Sequence, residues 1–280
     1  MTSSHGANSA NNDPNTVPLR PAATVMLVRD TPPRGMEVFM LQRMMQAAFA
    51  RGMYVFPGGR VDDADAAGEI EPYCAGLSDA DASALLQVPH GGLAYWVAAI
   101  RECFEEAGIL LARRASDADF VAFDTTATTS RFNSLRTSVH DGSLSLLQLC
   151  RDEQLVLAVD QIKYVSHWIT PVGEARRFDT RFFVARAPQD QSPLHDDNET
   201  IDSLWVSPDV ALQRAKDGTL AMIPPTISNL EYLARFDDAD DVLAAASTIG
   251  TPPPILPRLR IDLEGRVIGI IMPGDPDYER

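Results

Sequence analysis

LAYWVAAIRECFEEAGIL, residues 93–110, carries two patterns at helical period. Trp96, Val97, Ile100, Cys103, Phe104 and Ala107 recur on one side, while Glu102, Glu105 and Glu106 fall on the other. One face is built for a core; the other is a cluster of carboxylates. Glu102 and Glu106 stand at i and i+4, and Glu102 and Glu105 at i and i+3, so without a counter-ion each pair costs the helix roughly a few tenths of a kcal/mol. A divalent cation removes that cost. A donor set made only of oxygen, with no nearby Cys/His set, favours Mg²⁺ or Mn²⁺ over zinc.

Upstream, residues 53–56 form an apolar run that Pro57 stops and Gly58-Gly59 opens into a loop, since glycine takes positive φ freely. Downstream, Gly108 stands where a helix end uses it. Further out, residues 23–29 and 37–43 are expected as strands joined by the turn 31–35 in a hairpin. Ser78 is expected to cap a short helix to about residue 87, and residues 88–92 to break the chain before the acidic helix. Residues 112–165 read as an added helical layer, with residues 154–157 either a strand or its end. Strands follow at 168–171, 176–185 and 201–206. Helices follow at 208–216, capped by Ser207, and at 224–235 and 238–248. Residues 251–254 read as a stiff linker and 259–263 with 267–272 as short strands. The organisation expected is a disordered leader at 1–20, a domain at 21–236, and a C-terminal helix and extended tail at 237–280 packing on it.

With 24 basic against 39 acidic residues the net charge is −15, which argues against duplex nucleic acid or an anionic membrane surface as the partner. No apolar run approaches the roughly 20 residues of a membrane span, and residues 1–21 lack the apolar core of a secretory signal. Cys74, Cys103 and Cys150 are scattered and make no CxxC, as expected of reduced thiols in a cytoplasmic protein. Cys103 is read as small core filler on the apolar side of its helix.

Arg101-Glu102-Cys103-Phe104-Glu105-Glu106-Ala107-Gly108-Ile109 resembles the second half of a Nudix box, with every fixed position filled. Gly59 resembles the opening glycine of that box, and Asp65 stands where the family usually has Glu. From Asp65 to Arg101 the chain takes 36 residues rather than the family's eight, so 28 are inserted. Leu41-Gln42-Arg43, Phe49, Gly52, residues 55–59, 168–171, Arg177-Phe178-Asp179-Thr180, Phe182-Phe183, and Trp205 with Pro208 extend the match. Together they resemble the branch of the mammalian peroxisomal coenzyme A diphosphatase, which also carries an insertion inside its box.

The resemblance implies an α/β fold of the α+β type, a mixed sheet sandwiched between helices. It implies divalent-metal-dependent hydrolysis of a pyrophosphate bond in a nucleoside diphosphate linked to another moiety, with coenzyme A or acyl-coenzyme A foremost. Glu102, Glu105 and Glu106 would be the metal ligands and catalytic groups, with a backbone carbonyl ligand from Gly59. Arg101 would orient a carboxylate. The general base would be either a box glutamate or Glu199 in the acidic loop at 195–199. Arg43, Arg176, Arg177 and Arg181 are the residues suited to phosphate, because guanidinium matches its oxygens in pairs. Gly58, Asp62, Asp65 and Gly108 would support the site. The resemblance leaves room for a homodimer. The tail Asp277-Tyr278-Glu279-Arg280 is not a Ser-Lys-Leu type address, so the peroxisomal location does not carry over. Two other readings stand beside this one: a non-catalytic Nudix-like module binding a nucleotide or protein, and a Nudix enzyme acting on other nucleotide diphosphates or capped RNA.

Overall fold

The structure is a computed structural model describing residues 17–33, 35–45, 50–193 and 200–278. Strand β1 (Leu19–Asp30) is its centre. Ala23, Val25 and Leu27 turn to one side of the sheet and Met26 and Val28 to the other, all of them buried, which is the period of two that a strand imposes. β2 (Met36–Arg43) folds back on it antiparallel, with Val28 opposite Val38. β3 (Tyr54–Val55) pairs antiparallel with β2, Leu41 opposite Val55, and β4 (Gly58–Arg60) returns to β1 with Gly59 opposite Ala23.

The insertion then folds as a 3₁₀ turn (Gly68–Tyr73) and helix α1 (Asp79–Leu86), and delivers the chain to helix α2 (Leu93–Ala107). Ser78 caps α1 by accepting the Asp81 N–H at 3.1 Å, as expected from the sequence. Helix α2 has no side-chain cap of its own; Gly92 holds that position. The insertion supplies the missing bonds. Asp79 accepts the N–H groups of Gly91 at 3.1 Å and Leu93 at 3.0 Å, and Ser83 accepts that of Gly92 at 2.9 Å. A Cβ at residue 92 would run into the backbone of Ala82 and Ser83, so the close approach needs glycine. Asp79→Ala is therefore expected to cost about 1 kcal/mol. In thermal unfolding that is a drop of roughly 2–4 °C; no drop would show that α2 starts equally well without the insertion.

Residues 112–165 are less helical than the sequence suggests. The segment opens on β5 (Ala112–Arg114), runs through α3 (Thr126–His140) and α4 (Leu146–Glu153), and closes on β6 (Leu155–Leu157). β5 and β6 pair antiparallel, Ala112 opposite Leu157, so each owes its extended form to a partner more than 40 residues away. β7 (Lys163–Ile169) and β8 (Arg177–Arg186) then rejoin the main sheet, β8 lying parallel to β1 with Arg181 opposite Ala23. β9 (Thr200–Val206) pairs with β2.

Helices α5 (Pro208–Lys216), α6 (Pro224–Leu233) and α7 (Ala239–Ala246) complete the order, α5 with the expected cap Ser207 and α7 capped by Asp238. The expected linker at 251–254 ends instead in β10 (Pro254–Ile255), which lies parallel to β7 at the sheet edge, a place where proline's missing N–H is harmless. β11 (Arg258–Ile261) and β12 (Val267–Ile271) form a separate ribbon.

Among the described residues the main sheet has eight strands in the order β10-β7-β8-β1-β2-β3, with β4 on β1 and β9 on β2. One face packs on α2, where Trp96 is buried against Phe183 and Tyr164 and donates its indole N–H to the Ile162 carbonyl at 3.0 Å. The opposite face packs on α5 to α7 through Ala211, Leu230, Leu233, Val242 and Ala246. This is the expected mixed sheet between helices. No described helix is long and apolar enough to cross a membrane.

Candidate active site

The apolar side of α2 anchors it on the sheet, and its last two turns present the carboxylates toward β4. Cys103, the expected filler, is fully buried on the core side. Glu102, Glu105 and Glu106 are themselves largely buried, with side-chain exposures of 14%, 12% and 6%. Burial pushes the Glu102 carboxyl well above the usual carboxylate range; Arg101 pulls it back, and Glu106 and Glu105 push it further up. Burial raises Glu105 as well, again against the pull of Arg101. Three acids held this way, at the end of a helix whose dipole is negative, call for added positive charge.

Part of that charge is Arg101. Its Nε and Nη2 form two parallel 2.9 Å bonds with Asp65, and Nη1 reaches Glu102 at 2.9 Å and Glu105 at 3.2 Å. Nη2 also donates to the Arg60 carbonyl at 2.8 Å, tying the helix to β4. Burial raises the pKa of Asp65 while the Arg101 bonds lower it, and the paired geometry is that of an ionised fork. Asp65, 2% exposed, also accepts the Asp62 N–H at 2.8 Å. The shorter acid at 65 thus serves the site through an arginine contact. Asp62 lies at the rim, 3.7 Å from Arg101 and half exposed.

The glycines explain the rest of the pocket. The Gly58 N–H donates to Glu106 at 2.9 Å. A Cβ at Gly58 would collide with the backbone of Ala23 and Thr24, and one at Gly59 would fall inside the Glu102 carboxylate. Gly108 adopts the left-handed conformation that ends α2, and its N–H returns to the Phe104 carbonyl at 3.0 Å. Arg43 completes the ring, 3.6 Å from Glu106.

Among the described residues no group of three or more His, Cys, Asp or Glu side chains is placed to hold a metal ion. The reason is visible: Arg101 lies between Glu102 and Glu105, and Arg43 beside Glu106. The donors nevertheless fit a hard cation, since all are oxygens, and the Glu102 carboxylate lies directly against Gly59, where any side chain would displace it.

Of the four arginines suited to phosphate, the structure brings Arg43 to the carboxylates. Arg176 is exposed in the β7–β8 connection. Arg177 is buried and donates to the Thr170 carbonyl at 3.1 Å; Arg181 bonds Asp179 at 2.9 Å and lies over the Tyr95 ring. Glu199 lies outside the described residues. A cavity of about 500 Å³ sits elsewhere, over β5, α3 and α4, lined by Arg114, Phe120, Arg131, Phe132 and Glu153, none of which belongs to the box.

Two residues from α3 reach the site unannounced by the motif. Arg136 donates to the carbonyls of Glu105 and Glu106, and His140 lies 3.9 Å from the Glu105 carboxylate. The signal for Arg136 was its place between Phe132 and Val139, the buried residues of a polar helix.

Comparison with known proteins identifies the family. The family model described as the NUDT19 Nudix domain matches residues 70–233. The acyl-coenzyme A diphosphatase NUDT19 of Gallus gallus is 29% identical over 264 residues, covering 80% of this chain and 70% of that protein. Its namesake in Xenopus laevis is 28% identical over 229 residues, covering 71% and 60%. The Homo sapiens protein is 27% identical over 251 residues, covering 80% and 67%. The chain thus spans between 60% and 70% of these relatives' lengths. A solved Nudix hydrolase from Alicyclobacillus acidocaldarius is 25% identical with a TM-score of 0.68, covering 85% of this chain and 100% of that one. With a glycine-roofed carboxylate helix clasped by one arginine and a family model spanning most of the domain, the chain belongs to the NUDT19 Nudix domain family of Nudix hydrolases.

Proposed function

We propose that this Nudix pyrophosphohydrolase cleaves the pyrophosphate of coenzyme A or an acyl-coenzyme A, using Mg²⁺ or Mn²⁺ held by Glu102, Glu105 and Glu106 with the Gly59 carbonyl. The observation that carries the reading is the gathering of these three largely buried carboxylates at one end of the helix, with Glu102 against Gly59 and Glu106 on the Gly58 N–H. The named activity of the NUDT19 relatives supports the substrate. When bound, the cation neutralises the phosphoryl oxygens and lowers the pKa of the attacking water.

The chain's own residues do the positioning. Arg101 bridges Glu102 and Glu105, and the Gly58 N–H aims Glu106. Arg43 is the phosphate contact, its guanidinium already in the ring of acids. Arg177 and Arg181 instead bind the sheet together, the first joining β8 to Thr170 and the second supporting Asp179, which bonds His167 on β7. The water is deprotonated by a box glutamate or by Glu199. Residues 21–236 form the catalytic unit, and 66–92 and 112–165 are its additions.

The test is to incubate the full chain with coenzyme A and an acyl-coenzyme A in Mg²⁺ or Mn²⁺ and resolve the products. Addition of one water should give 3′,5′-ADP and the matching 4′-phosphopantetheine, and chelation should stop the reaction. Faster cleavage of another nucleoside diphosphate conjugate or of capped RNA would overturn the substrate; turnover undiminished by chelator would overturn the metal.

A further inference from the structure

Helix α3 is polar for most of its length, and its buried residues are Phe132 and Val139. Arg136 stands four residues after the first and three before the second, so the helix carries it inward on the same stripe. There its Nε donates to the Glu105 carbonyl at 2.9 Å and its Nη2 to the Glu106 carbonyl at 3.2 Å. Both acceptors belong to the last turn of α2, whose carbonyls have no intrahelical partner. The Gly108 N–H covers Phe104, and α2 has no basic residue in its own last turn.

Charge sharpens the point. The carboxylates of Glu102, Glu105 and Glu106 crowd the end of α2 at which the helix dipole is already negative, an arrangement that favours cations and penalises acids. Arg101 answers at the side chains, on one flank. Arg136 answers at the backbone, on the other, and binds the very two residues whose carboxylates are adjacent in sequence. A forked guanidinium bridging consecutive carbonyls fixes the peptide planes there, and with them the directions in which the two side chains leave the helix. His140, one turn further along α3, stays within 3.9 Å of the Glu105 carboxylate, so α3 follows this flank through two turns.

We infer that Arg136 is a positioning residue for the cation site: it acts through the backbone of Glu105 and Glu106 to set their carboxylates for a divalent ion. The inference rests on the metal-site reading above. It gives the helical layer a part in the reaction although none of its side chains belongs to the Nudix box.

The experiment measures Mn²⁺ binding directly, by the loss of the free-ion paramagnetic resonance signal, on the full-length wild type, Arg136→Ala, Arg136→Lys and Glu106→Gln. Steady-state kinetics with coenzyme A and a melting curve accompany each. Arg136→Ala is expected to raise the Mn²⁺ Kd roughly 10-fold or more, the usual effect of losing a group that orients a metal ligand. At saturating Mn²⁺ its kcat should fall while KM for substrate stays put. Arg136→Lys, which offers a point charge in place of a fork, should recover part of the affinity and keeps the test decisive if the alanine variant does not fold. Wild-type Mn²⁺ affinity in folded Arg136 variants, with or without a lower Tm, would overturn the positioning role provided Glu106→Gln binds weakly. Wild-type affinity in Glu106→Gln would instead overturn the metal site itself.

Discussion

Glu106→Gln is expected to lower kcat by orders of magnitude and leave the protein folded. Glu106 is the most enclosed of the three acids, 6% exposed, with the Gly58 N–H at 2.9 Å on one oxygen and Arg43 at 3.6 Å from the other. An amide keeps the shape and can still accept the Gly58 bond, so packing survives. What it loses is the charge that a cation and Arg43 both answer. Because the substitution removes a proposed ligand, the loss should exceed the roughly 10–100-fold that follows loss of a mere orienting partner. The check is kcat at saturating Mn²⁺ beside a melting curve. Activity within tenfold of wild type in a folded variant would remove Glu106 from the site.

Arg101→Met should have the largest effect on stability. It strands Asp65, 2% exposed, among groups that no longer neutralise it, and deleting one partner of a buried pair costs roughly 3–5 kcal/mol. Against a total stability of about 5–15 kcal/mol, that is a large part of the whole. It also leaves Glu102 and Glu105 facing each other with no guanidinium between them. Denaturant unfolding of the single variant and of Arg101→Met/Asp65→Asn separates the causes, since the double variant has no stranded carboxylate and should regain much of the loss. A single variant within about 1 kcal/mol of wild type would mean that water screens the pair.

The sequence showed most clearly what is local. The core and acid faces of α2 follow from side-chain spacing, and the caps Ser78 and Ser207 from bonds made within three residues. That Arg101 would meet a carboxylate was also legible, through the resemblance to the box, and it bonds Asp65, Glu102 and Glu105. What escaped depends on partners distant in the chain. Ala112–Arg114 is a strand because Leu155–Leu157 lies beside it, and Asp79 completes a helix that begins 14 residues later. Arg177 and Arg181 have the right chemistry for phosphate, but alternation along β8 and deep burial commit them to groups within the sheet. Arg136 carries no motif; only the packing of α3 on the end of α2 gives it a role.

The Asp65–Arg101 fork joins two points separated by 36 residues, so it closes a loop at its base. The entropy of closing a flexible loop grows only logarithmically, about 0.6 kcal/mol for each doubling of length. Once side-chain bonds rather than short connectivity fix the distance between the two halves of the motif, the chain between them is free to grow. The excursion is then tolerated at small thermodynamic cost, and new surface can be grafted beside an unchanged reaction centre. A motif cut in two by sequence stays whole in space because an arginine, not the backbone, measures the gap.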